Sequence, residues 1–323
     1  MNTAGGPPAG EGRRDTVAAA IDVGSNSVLL LTVAVGLDAR VRTVDTALET
    51  TRLGTRLRDG GLLDRDARHR TIAAVEAFAA RARRAGADGV WAFATAAVRR
   101  AADGDAFARE VEETAGLSLE VLSGAREAAL AYAAVAHGLP AVRGPLLVVD
   151  VGGGTTELTL GQGETVGETA SLSLGALGLT ESGASPLAAH VDGVLAGCEL
   201  PARAALRGAS LAASGGTATA LAALDLGLVH YDPGRVHGHR LARDALAALV
   251  ARLATLPPAA VASLAGLDPG RAAILPAGAV VLERVVAAAR ARAVTVSDHG
   301  VRHGYLRERL LAAGLPVDFR APP

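Results

Sequence analysis

Two stretches of this chain share one pattern of apolar and polar positions. An apolar run, Val17 to Ile21, ends at Asp22, is interrupted by Val23-Gly24-Ser25-Asn26-Ser27, and resumes from Val28 to Val35. Apolar segments of strand length around a small polar turn predict a hairpin with polar groups at its tip. Residues 146–160, LLVVDVGGGTTELTL, repeat the pattern. Placing Asp22 on Asp150 pairs Val23 with Val151, Gly24 with Gly152, Ser27 with Thr155 and Leu30 with Leu158, at a constant offset of 128 residues. One glycine-rich turn means little. The same strand, aspartate, turn and strand near the start of each half predicts a duplicated domain.

Between the hairpins, residues 64–85 carry Ile72, Val75, Phe78 and Ala79 at helical spacing with arginines on the other face, which predicts a helix. Short strands are predicted from Val90 to Ala94 and from Leu119 to Leu122, with helices from Asp105 to Ala115 and from Ser123-Gly124 through Ala136. In the second half, a strand from Leu211 to Ala213 enters Ser214-Gly215-Gly216-Thr217 and a helix to Leu224. Helices at about 240–255 and 272–292 precede a strand from Ala293 to Val296. This alternation predicts α/β architecture in both halves. The expected division is a flexible tail over 1–15, a first domain over 16–138, a second over 139–303 and a short tail over 316–323. The junction is expected near Gly138-Leu139-Pro140.

Composition narrows the chemistry. Half of the 323 residues are hydrophobic, so a sizeable core is available, but only eight are aromatic. The sequence contains no lysine, and its formal net charge is -1. The absence of lysine excludes the P-loop lysine, the strand lysine of protein kinases and any Schiff-base mechanism. The single cysteine, Cys198, excludes an internal disulfide and a multi-cysteine metal site; it reads as a small buried hydrophobe rather than a nucleophile. No run of apolar residues is long enough to span a membrane, and the N-terminal residues lack the apolar core of a signal peptide. The expectation is a soluble, cytoplasmic protein with neither nucleic acid nor membrane as partner. His237 and His239 are read as loop or surface residues, since no third metal ligand is evident.

The paired turns carry the candidate chemistry. Backbone N–H groups and hydroxyls in a glycine-rich turn receive an anion, and small residues let phosphate approach the backbone. The candidate phosphate-binding residues are Gly24, Ser25, Asn26 and Ser27 in the first turn and Gly152, Gly153, Gly154, Thr155 and Thr156 in the second. Asp22 and Asp150 are poor phosphate ligands but suit a Mg²⁺ that bridges phosphates; Glu157, present only in the second hairpin, is a further candidate metal ligand or a group behind one. The bland alternative is two ordinary hairpin turns in which aspartate favours the turn.

The segments AAIDVGSNS and VVDVGGGTTEL resemble the two phosphate-binding loops of the acetate kinase, sugar kinase, chaperone ATPase and actin superfamily. Within it, Arg52-Leu53-Gly54, Ala94-Thr95-Ala96-Ala97-Val98-Arg99, Val121-Leu122-Ser123-Gly124, Ser214-Gly215-Gly216-Thr217 and Ser297-Asp298-His299-Gly300-Val301-Arg302 resemble motifs of the exopolyphosphatase and guanosine pentaphosphate phosphohydrolase family. They follow the family's order from about residue 18 to 310. The resemblance implies two duplicated ribonuclease H-like (actin-like ATPase) domains around a cleft, with a helix at about 304–315 packing back on the first domain.

It also implies roles. In Ser123-Gly124-Ala125-Arg126-Glu127-Ala128, Glu127 takes the position of the family's catalytic carboxylate. Arg126 replaces a glutamate there, and Ala129 an arginine. Arg99 matches the family's active-site arginine, whose fork suits a phosphate oxygen. Gly215, Gly216 and Thr217 are weaker candidates for contact with a nucleotide. Asp103 and His303 depart from the family's usual Asn and Glu. The implied activity is a Mg²⁺-dependent phosphohydrolase, with Mn²⁺ as the alternative ion, releasing the terminal phosphate of polyphosphate or guanosine pentaphosphate by water attack. A homodimer is compatible with the family. Short chains are expected to be favoured, because neither half carries surplus positive charge and longer relatives add C-terminal helical domains. Two other readings stay open: an ATP-dependent small-molecule kinase of the same superfamily, and a non-catalytic polyphosphate or alarmone sensor in which Arg126 holds Glu127 away from water.

Overall fold

The computed structural model describes residues 14–320. The expected tail therefore lies outside the described residues except for Arg14, which pairs with Asp88 at 2.6 Å, and Asp15. The first sheet is built from β1 (Thr16–Val23), β2 (Ser27–Val35), β3 (Val41–Thr50), β4 (Gly89–Ala94) and β5 (Leu119–Val121), in the order β3-β2-β1-β4-β5. The second contains β6 (Pro145–Val151), β7 (Thr156–Gln162), β8 (Thr165–Leu172), β9 (Ser210–Ser214), β10 (Arg240–Ala242) and β11 (Ala293–Val296), in the order β10-β11-β9-β6-β7-β8. Both begin with an antiparallel hairpin extended by a third antiparallel strand, and both add parallel strands on the other side of the first. The duplication read from the two turns thus extends to five strands of each sheet, and β10, antiparallel to β11, is an addition of the second.

The first half also contains α1 (Arg65–Arg84), α2 (Ala96–Arg100), α3 (Gly104–Ala115) and α4 (Gly124–Gly138). The Asp64 carboxylate caps α1 by accepting from the Ala67 N–H at 2.9 Å. The second domain adds α5 (Ala176–Ser182), α6 (Leu187–Leu195), α7 (Leu200–Leu206), α8 (Gly215–Asp225), α9 (Pro233–Val236), α10 (Arg243–Thr255), α11 (Pro258–Ala262), α12 (Pro269–Ala272) and α13 (Leu275–Ala288). The final helix is α14 (Val301–Ala312). The helix expected at 240–255 opens instead as strand β10, because Arg240–Ala242 pair with β11.

Strand parity decides which face each residue serves. Ala19, Ile21 and Val23 of β1 face α1 and α3, meeting Val75, Phe78 and Phe107. Ala18 and Ala20 face the other way, toward Tyr305, Leu306 and Leu310 of α14. In β6, Leu147, Val149 and Val151 enter the outer core with Leu221, Leu246 and Leu282. Leu146 and Val148 meet Tyr132 and Val135 of α4. Helices α4 and α14 therefore lie between the two sheets: α4, from the first half, covers the second sheet, while α14, from the second, covers the first. They touch so closely that a Cβ on Gly304 would collide with the carbonyl of Leu130.

The tail expected over 316–323 is corrected for its described part. Val317 is buried among the α14 contacts of the first sheet, and Asp318 bridges to Arg40; residues 321–323 lie outside the described residues. His237 lies in the turn after α9, as expected, but is half-buried there. Its ring packs against His299 at 4.4 Å, His299 stacks on His303 at 4.4 Å, and its Nε2 meets the Gly138 carbonyl at 3.0 Å.

Candidate active site

Asp22 and Asp150 continue the parity of Ala18, Ala20, Leu146 and Val148, so both leave their sheets on the sides that face each other. The turns beyond them are built alike. The Gly24 N–H donates to the Ser27 carbonyl at 3.0 Å, and the Gly152 N–H to the Thr155 carbonyl at 2.9 Å. Small size is what the second turn requires: a Cβ on Gly153 would stand 3.1 Å from Asn26 Cβ, and one on Gly154 3.0 Å from Ala96 Cβ. The turns thus lean on each other across the cleft. Among the described residues, the amides of Ser25, Asn26, Gly153 and Gly154 donate to no protein acceptor, which leaves them available to an anion. Asn26 Nδ2 donates to Ser27 Oγ at 3.1 Å, while the buried Asn26 Oδ1 has no partner.

Between the domains is a cavity of about 420 Å³. Its wall contains Asp22, Gly24, Ser25, Asn26, Ser27, Glu127, Asp150, Gly152, Gly153, Gly154, Thr155, Gly215, Gly216 and Thr217. Most of the site expected from the sequence therefore converges on one space. Thr156, Glu157 and Arg99 do not reach the wall. The Thr156 hydroxyl donates to the Leu174 carbonyl at 2.7 Å, which corrects its expected place among the phosphate-binding groups. Glu157 is buried behind the second turn, off the cavity wall, where Ser171 Oγ donates to its Oε1 at 2.8 Å.

Arg99 stands behind the wall and holds Glu127 through one nitrogen of its guanidinium. Its Nη1 donates to Glu127 Oε2 at 3.0 Å and to the Leu122 carbonyl at 2.7 Å, so the guanidinium orients the carboxylate. Glu127 itself lies at the start of α4, which Ser123 caps by accepting from the Arg126 N–H at 3.2 Å. Arg126 pairs with Glu308 and not with Glu127. Gly215, at φ +84°, starts α8 where a Cβ would collide with Asp150 Oδ1. Ser214 Oγ donates to Asp150 Oδ2 at 3.0 Å.

The carboxylates are crowded and desolvated. Burial, reinforced by the charges of Glu127 and Asp150, pushes Asp22 up to about 7, against the opposing pull of Arg302 and Arg271. Burial pushes Glu127 up to about 7 as well, although Arg99 favours its ionised form. Asp150 is raised by burial and eased by Ser214; Glu157 is raised well above its ordinary value, by burial first and by Glu127 next. Two cationic groups on the wall, Arg271 and Arg302, were not singled out in the sequence. Arg302 sits in the segment 297–302, whose motif could have flagged it, whereas Arg271 has no local signal.

Among the described residues, no three His, Cys, Asp or Glu side chains gather closely enough to cage a cation. Mg²⁺ needs no such cage: one or two carboxylates suffice when water and substrate phosphates supply the other oxygens. The buried, mutually repelling Asp22 and Asp150 and the unpartnered Asn26 Oδ1 are oxygen donors of the kind a hard divalent ion takes, so the residues fit the ion.

The arrangement is that of two α/β domains whose facing turns and a carboxylate line one cleft. Residues 33–313 match the model of the Ppx/GppA phosphatase family, and the chain belongs to that family. It is accordingly a hydrolase. It is 32% identical over 310 residues to exopolyphosphatase 2 of Mycobacterium tuberculosis, covering 90% of this chain and 97% of that protein. A crystal structure of the Ppx/GppA family member of Aquifex aeolicus superposes with a TM-score of 0.74 at 29% identity, covering 93% of this chain and 99% of that one. An exopolyphosphatase from Cytophaga hutchinsonii has the same fold, with a TM-score of 0.83 at 20% identity over 93% of this chain and 99% of that one. Among the described residues, no helix is long and apolar enough to cross a membrane.

Proposed function

We propose that this protein releases the terminal phosphate of inorganic polyphosphate or of guanosine pentaphosphate, with short chains favoured. The observation that carries the reading is Glu127 on the wall of the cavity that both turns line, with Arg99 fixing its orientation. Adjacent phosphoryl groups take the free amides of the two turns and the hydroxyls of Ser25, Ser27 and Thr155. Glu127 orients a water molecule in line with the terminal phosphorus and accepts its proton. As the water oxygen bonds to phosphorus, the anhydride P–O bond breaks and its electron pair leaves on the oxygen of the shortened chain. Asp22 and Asp150 are the groups that would hold Mg²⁺ or Mn²⁺, which when bound neutralises phosphate charge. Arg302 and Arg271 add fixed positive charge to the wall. The preference for short chains rests on the cavity's limited volume and on halves with net charges of -1 and 0.

Arg126 speaks against a sensor, because its partner is Glu308. A kinase reading draws on Gly215, Gly216 and Thr217 lining the same cavity. The test is phosphate release from tripolyphosphate, long polyphosphate and guanosine pentaphosphate, with Mg²⁺ and with Mn²⁺, beside transfer of labelled phosphate from ATP to small acceptors. Release from the first or third, lost in Glu127→Gln, is the expected result. Transfer without release would favour the kinase, and a processive preference for long polymer would remove the short-chain claim.

A further inference from the structure

Two phosphate-binding turns act together only when the domains that carry them are closed, and, of the side chains that bridge the domains, Glu181 joins the supports of both turns. Glu181 lies in the last turn of α5, in the second domain. Its carboxylate accepts from the Thr55 hydroxyl and, at 2.7 Å, from the Arg56 N–H, both in the first domain.

Each partner in this contact backs one of the turns. The N–H groups of Arg52 and Gly54 donate to the carbonyls of Asn26 and Ser25, each at 2.8 Å. Gly54 lies so flat on Ser25 that an added Cβ would stand 2.9 Å from Ser25 Cβ. On the other side, the N–H groups of Ala176 and Leu177 in α5 donate to the carbonyls of Gly152 and Gly153, each at 2.9 Å. Direct bonds thus run from the first turn through residues 51–56 to Glu181, and from α5 to the second turn. The backbone on either side of Thr55 is also held in an unfavoured shape: Arg52 and Arg56 have φ values of 53° and 52°. Non-glycine residues keep such angles where the surrounding structure imposes them.

We propose that Glu181 is a positioning residue, a latch that holds the two turns in register when the cleft closes. The inference rests on the reading that both turns grip one phosphate chain. Glu181 is not on the cavity wall, so it acts through the turns and not on substrate. A glutamine in its place keeps both bonds, its carbonyl accepting from Arg56 N–H and its amide donating to Thr55 Oγ. Alanine keeps neither.

The test compares Glu181→Ala, Glu181→Gln, Thr55→Val and the Glu181→Ala/Thr55→Val double variant on tripolyphosphate, and follows hydrogen exchange of the Arg56 amide without substrate. Loss of these bonds is expected to lower kcat/KM about tenfold in Glu181→Ala, more through KM than kcat, with Glu181→Gln close to wild type. The double variant should lose no more than Glu181→Ala. The Arg56 amide should exchange about tenfold faster in Glu181→Ala and not in Glu181→Gln. Equal kinetics for the Ala and Gln variants, or additive losses, would overturn the latch. If the wild type releases no phosphate at all, the functional reading fails; the exchange series then decides alone, and equal exchange in wild type, Ala and Gln variants rejects the latch.

Discussion

Asp22 and Asp150 occupy the same place in two copies of one hairpin, yet their surroundings differ. Asp22 is paired across its hairpin with Leu29, whereas Asp150 is paired with Glu157. Asp150 receives a hydrogen bond from Ser214, a direct stabilisation of its charge that is not among the influences on Asp22. The first domain also supplies Glu127 and Arg99, while the glycine turn at 215–217 and Arg271 come from the second. Duplication provided two equivalent scaffolds, and divergence of a few side chains around them divided the chemistry. The proposed general base comes from one half, and the aspartate that Ser214 hydrogen-bonds from the other.

The hardest blow to this division is expected at the base. Glu127→Gln should bind phosphate but lose about 10²–10⁴-fold in turnover; a variant that hydrolyses as fast as wild type would leave the first half without its catalytic group. Next come the aspartates. Asp22→Asn and Asp150→Asn should each raise the metal concentration for half-maximal activity about tenfold or more, and a titration unchanged in one of them would show that only its counterpart holds the ion.

A smaller effect is expected from pH. Glu127 must be ionised to act as base and is pushed up to about 7, so kcat/KM should rise with pH and level off above that value. Removing the positive charge in Arg99→Ala should move the rise to higher pH, while Arg99→Lys should restore part of it. A profile that does not move would detach Arg99 from Glu127.

The smallest effect is on stability. Asp22 titrates near 7 in the fold against an ordinary value of 3.8. The folded state therefore holds its proton over a range where the unfolded chain has lost it, and stability falls as pH rises from about 4 to 7. Asp22→Asn removes this cost, and its Tm without divalent ions should exceed that of wild type by about 2–4 °C at pH 8, with little difference at pH 4. A gain of the same size from Asp150→Asn would erase the contrast between the two aspartates.

Much of this asymmetry could not be read along the chain. The hairpins, α1 and the buried parallel strands announce themselves through apolar period and glycine turns. Strands β3 and β8 do not, because they are the outer strands beyond each hairpin and many of their positions, such as Arg42, Thr43, Thr165 and Val166, are exposed. The short helices α5 to α7 lie in an Ala- and Gly-rich stretch with weak period. Glu127 was placed by its motif, but the direction of Arg99 was not: arginine chemistry suits a phosphate or a carboxylate, and only the fold brings the end of α2 to the start of α4, where Arg99 meets Glu127. Arg271 reaches the cavity from α12, a single helical turn that only tertiary folding brings to the cleft. Thr156 matched the turn pattern, yet its hydroxyl serves the Leu174 carbonyl.

The exchange of α4 and α14 between sheets has a consequence for synthesis in the cell. The first domain's strands are complete at Val121, but the helix that covers their inner face begins only at Val301. At about 5–20 residues per second, a ribosome needs roughly 10–40 s to supply it. During that interval Ala18, Ala20, Leu31 and Val33 face outward from an uncovered sheet. Chains arrested before α14 emerges should therefore bind holdase chaperones and be cut readily by protease, and both sensitivities should vanish together once residues through Leu310 have left the exit tunnel.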